Sequence, residues 1–93
     1  MNAVVKTLIK QFLPEIKDKA APVTEELLLD VLNGKNEELR SDEERADIVI
    51  ENARGHVVVY ICAMTRDNRI TRVLMKYELP ELVELLLSNL DKI

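Results

Sequence analysis

Nine residues near the middle of the chain, His56-Val57-Val58-Val59-Tyr60-Ile61-Cys62-Ala63-Met64, are rich in β-branched and aromatic side chains and apolar at both odd and even positions. A strand of that kind needs cover on both faces, whereas a strand at the surface of a two-layer fold alternates apolar with polar. A chain of 93 residues has few elements with which to supply two covers. Any architecture must therefore place this strand centrally in a sheet, put helices over one face, and cover the other with more of the same chain or with a second molecule.

The flanking segments fit that demand. Ile48–Asn52 reads as a preceding strand and Arg69–Tyr77 as a following one. Ala53-Arg54-Gly55 suits a three-residue hairpin loop with glycine in the left-handed position of a bulge. Asp67-Asn68 suits a two-residue turn, since both residue types tolerate positive φ. With those turns one face collects Ile48, Ile50, Val58, Tyr60, Cys62, Met64, Thr71, Val73, Met75 and Tyr77, and is expected to be the main core. The other collects Val49, Glu51, Val57, Val59, Ile61, Ala63, Ile70, Arg72, Leu74 and Lys76, half apolar and half charged. A one-residue slip in the first hairpin would exchange the two sides of its first strand.

Helical periodicity accounts for the rest. Val4, Val5, Leu8, Ile9, Phe12, Leu13 and Ile16 recur at helical spacing, with Pro14 predicting a kink or break near Leu13. Pro22 opens a second helix whose stripe is Val23, Leu27, Leu28, Val31 and Leu32, and Asn33-Gly34 predicts its stop. Residues 35–46 form a charged linker in which Ser41 and Glu44 have capping-box spacing. Pro80 opens a last helix, with Leu82, Val83, Leu85, Leu86, Leu87 and Leu90 spread over a wide arc. The expected fold is a single α+β domain over 1–93, ordered ααβββα, with a three-stranded antiparallel meander.

Composition narrows the function classes. Net charge is −4. It is unevenly spread, because residues 51–77 hold five basic against two acidic side chains while both flanks are acidic. Cys62 is the single cysteine, which excludes an intrachain disulfide and suits a reducing compartment. Lys6 and Lys10 interrupt the N-terminal apolar residues, so no secretory signal is read there. The expected location is cytoplasmic. No apolar run approaches a membrane span.

No catalytic, cofactor or metal motif stands out. His56 and Cys62 sit six residues apart on one strand, roughly 20 Å, beyond any thiolate–imidazole contact. The acids Glu37, Glu38, Asp42, Glu43, Glu44 and Asp47 lack the alternating ligands and central glycine of a calcium loop. With two glycines in the chain, a phosphate-cradling loop is hardly available.

The expectation is a non-enzymatic protein–protein interaction module, most simply a homodimer, meeting its partner through Val57, Val59, Ile61, Arg72, Leu74, Leu82, Leu86 and Leu90. The alternative is a small nucleic-acid-associated protein using Arg66, Arg69, Arg72 and Lys76. Against it, a single-strand platform needs aromatic and basic side chains interleaved on one face.

Overall fold

The computed structural model describes residues 3–12 and 21–90. They form helix α1 (Ala3–Phe12), helix α2 (Ala21–Gly34), a 3-10 turn (Lys35–Glu38), strands β1 (Arg45–Ala53), β2 (His56–Met64) and β3 (Ile70–Glu78), and helix α3 (Leu79–Leu90). The strands make one antiparallel sheet in the order β1-β2-β3. This is the expected ααβββα arrangement. The expected break at Leu13–Pro14 lies outside the described residues.

All three helices serve one core. Val5 and Leu8 of α1, Leu28 and Leu32 of α2, and Leu82 and Leu86 of α3 bury themselves against Ile48, Val59 and Ile61. Thr24 of α2 is the buried polar side chain among the described residues. Helix α2 does not end in a left-handed glycine. Gly34 is right-handed (φ −61°) and the chain runs on into the 3-10 turn. Helix α3 starts where the Glu81 carboxylate reaches back 3.3 Å to accept from the Glu78 N–H. Pro80 lies in that first turn, where its missing donor costs nothing.

The turns differ from the sequence expectation, and with them the faces. The β1–β2 loop is Arg54-Gly55, closed by the pair Ala53–His56. Both residues have positive φ (53° and 84°), the pattern of a type I′ turn. The β2–β3 loop is the longer one. The Asn68 N–H donates to the Thr65 carbonyl (3.0 Å) and the Thr65 N–H to the Arg69 carbonyl (2.9 Å), with Asn68 left-handed at φ 63°. That is a type I turn followed by a bulge residue.

The shorter first loop pairs Ile48 with Ile61 and Ile50 with Val59. Two register shifts in β3 leave Thr71 and Leu74 as extra residues, so that Met75 pairs with Ile61 and Tyr77 with Val59. The central strand is therefore turned over relative to the expectation. Val57, Val59, Ile61 and Ala63 face the helices, and Val58, Tyr60, Cys62 and Met64 face away. Ile48, Ile50, Met75 and Tyr77 stay on the helix side as expected.

Candidate functional site: an uncovered sheet face

The face turned from the helices carries Val49 from β1, Val58, Tyr60, Cys62 and Met64 from β2, and Ile70 and Val73 from β3. None of these belongs to the core that the helices share. Ile70 is 51% and Val73 53% exposed, unusual values for branched apolar residues in strands. Cys62, at 1% exposure, sinks between its neighbours on the central strand and the adjoining ones. Burial pushes its thiol pKa up, and the nearby Asp47 carboxylate adds to that. A thiol so placed packs as a small apolar group and is a poor nucleophile.

Charges rim this face. Arg45, Asp47 and Glu51 share this side of β1 with Val49, and Lys76 and Glu78 lie on β3. Lys76 stands directly opposite Tyr60, on the same side, contrary to the expectation that separated them. His56 Nε2 and Glu78 Oε2 are 2.7 Å apart at the β1–β2 turn end.

Both sheet edges are blunted. On β1 the Ile48 N–H donates 2.8 Å to Asp47 Oδ1, which occupies an amide that a further strand would need. On β3 the two bulges break the regular spacing of backbone groups.

At the opposite end of the sheet, the Glu44 carboxylate gathers three donors. Thr71 Oγ1 donates to Oε2 at 2.7 Å, as does Arg72 Nη1, and the Arg40 N–H reaches Oε1 at 2.8 Å. The Thr71 hydroxyl, then the Arg40 amide and then Arg72 hold the Glu44 pKa down to about 2 against ordinary carboxylates near 4.5. Arg72 also donates to the Glu38 carbonyl. This cluster ties the segment that follows the 3-10 turn across the sheet end. It borders a shallow, open depression lined by Asn36, Leu39, Arg40, Ser41, Asp42 and Glu44.

The expected interface residues take other positions. Val57, Val59, Ile61, Leu82 and Leu86 are buried on the chain's own helix side, so the placement of that set on an outward surface is corrected. The reason is the two-residue first turn and the Leu74 bulge, which turned β2 over. Leu74 is half-buried against the core, Arg72 is engaged by Glu44, and the Leu90 side chain lies outside the described residues.

The four cations of the alternative reading are scattered. Arg66 and Arg69 sit at the β2–β3 loop, with Arg69 3.2 Å from Asp67. Arg72 is held on the helix side, and Lys76 stands on the uncovered face, 3.8 Å from Glu78. His56 and Cys62 lie far apart along β2. Among the described residues no three His, Cys, Asp or Glu side chains are grouped to hold a metal ion. No described helix is long and apolar enough to cross a membrane. The chain matches no protein-family model, no curated protein and no solved structure.

Proposed function

We propose that this protein is a non-enzymatic association module that acts as a homodimer, with the uncovered sheet face of one copy against the same face of a second. The observation that carries this reading is the exposure of Ile70 and Val73 beside Tyr60 and Met64, on a face that no described helix reaches. Contiguous exposed apolar surface marks sites of association more often than chance. A second copy is favoured as the occupant because the rim carries both signs of charge, so the face can complement itself. The blunted edges leave the face as the available route. The single buried cysteine suits a reducing, cytoplasmic setting.

Light scattering on size-fractionated protein over a concentration series tests the reading. Wild type is expected to move from monomer to dimer as concentration rises. Val73→Glu is expected to stay folded and monomeric. A wild type that is monomeric at every concentration would overturn the proposal.

A further inference from the structure

Resting on that reading, we infer that the association tightens on acidification, with His56 as the group that senses it. Around the uncovered face the strand pairing places Arg45, Asp47 and Glu51 from β1, His56 from β2, and Lys76 and Glu78 from β3. Three of these are carboxylates, and two are permanent cations. Arg45 is taken up by Asp47 at 3.6 Å, and Lys76 by Glu78 at 3.8 Å. Glu51 is exposed, and among the described residues no ion pair reaches it. While the imidazole is neutral, each copy therefore carries one uncompensated negative charge on this face. Two copies set face to face bring both surplus charges to the contact whatever their register, and like charges at an interface disfavour it.

His56 is placed to remove the surplus. It is the single histidine of the chain. Across the three strands Val58 stands between Glu51 and Glu78. His56 is the next side chain along that face of β2, so it is the diagonal neighbour of both carboxylates, within reach of long side chains. Its Nε2 already stands 2.7 Å from Glu78 Oε2, while Lys76 approaches the other oxygen, Oε1. Two more charges lie close by. Arg54 occupies the turn just before His56, and the Glu81 carboxylate is turned back to the Glu78 N–H. The His56 side chain is 64% exposed, open both to protons and to a second copy.

Histidine changes charge between about pH 5 and 8, a range in which ordinary carboxylates stay largely ionised. On acidification the face gains a third cation, and its positive and negative charges balance. Every carboxylate of the face can then meet a cation, its own or the second copy's. The gain is made twice, once on each copy.

Light scattering on the full chain at about pH 8 and about pH 5.5 tests this. The dissociation constant of the wild-type dimer is expected to be about fivefold lower at the acid end. His56→Gln keeps an N–H donor for Glu78 but cannot ionise, and is expected to behave as alkaline wild type under both conditions. His56→Lys carries the charge permanently, and is expected to behave as acidified wild type under both. Glu51→Gln removes the surplus carboxylate, and is expected to dimerise under alkaline conditions as tightly as acidified wild type.

A dimer of equal strength at both pH values would overturn the inference and leave the homodimer in place. So would a His56→Gln variant that still tightens on acidification. A wild type that is monomeric at both pH values and every concentration would instead sink the homodimer itself.

Discussion

At the scale of single residues, two positions are set by local chemistry alone. Gly55 holds φ +84° with open space where a Cβ would stand. Gly55→Ala therefore meets no neighbour, and its cost is purely that of the backbone. That is about 1–2 kcal/mol, measurable by chemical denaturation. Glu44 is the second. Its pKa is depressed in the fold to about 2, so the stabilisation it gives is fully present above the ordinary value of 4.5 and is lost as pH falls from there toward 2. Thr71→Val removes the first of its donors. The Glu44 carboxyl, followed by NMR titration, is then expected to titrate nearer to 4.5 and the variant to begin losing stability at higher pH than wild type.

At the scale of elements, the helices and strands were legible, but the facing of the central strand was not. Alternation in β1 marks Ile48 and Ile50 as inward, and the structure keeps them there. Strand β2 cannot vote, because Val57 to Ala63 is apolar at every position. Its facing then hangs on turn lengths. Gly55 is compatible with a bulged three-residue loop or with the second position of a type I′ turn, and Arg54 is an unfavourable residue for positive φ, which disguised the latter. The Leu74 bulge leaves no mark in composition at all.

The correction has a direct consequence. Ile61 is core, so Ile61→Glu is expected to abolish the cooperative thermal transition rather than give a folded monomer. Leu86→Ala, on the helix layer over it, is expected to cost about 2–5 kcal/mol through lost burial and a residual cavity.

At the scale of the whole molecule, the described residues form a two-layer fold whose sheet has helices on one side. The helices cover one side of the sheet, and the other side presents three strands, a strip about 14 Å wide at ordinary strand spacing. An interface built on so narrow a strip falls at the small end of specific contacts, where association is reversible and sensitive to concentration. The rim charges predict how salt acts. Attractions between rim charges of opposite sign on the two copies would be exposed and screened, so raising ionic strength from 0.1 M to 1 M is expected to weaken the proposed dimer, read by light scattering at fixed concentration. A purely apolar contact would instead tighten in salting-out conditions.

The 2.8 Å bond from the Ile48 amide to Asp47 bears on what kind of assembly this chain can form. A two-fold contact between faces uses up the same surface on both molecules and terminates after two. A strand edge, by contrast, is consumed on one side and regenerated on the other, and growth along it has no natural end. By satisfying its neighbour's amide, the Asp47 carboxylate makes the finite option the accessible one. If the proposed homodimer holds, Asp47→Ala is expected to add open-ended growth along the β1 edge, seen as high-mass species by light scattering, while Asp47→Asn, which keeps an acceptor oxygen, is expected to stop at two.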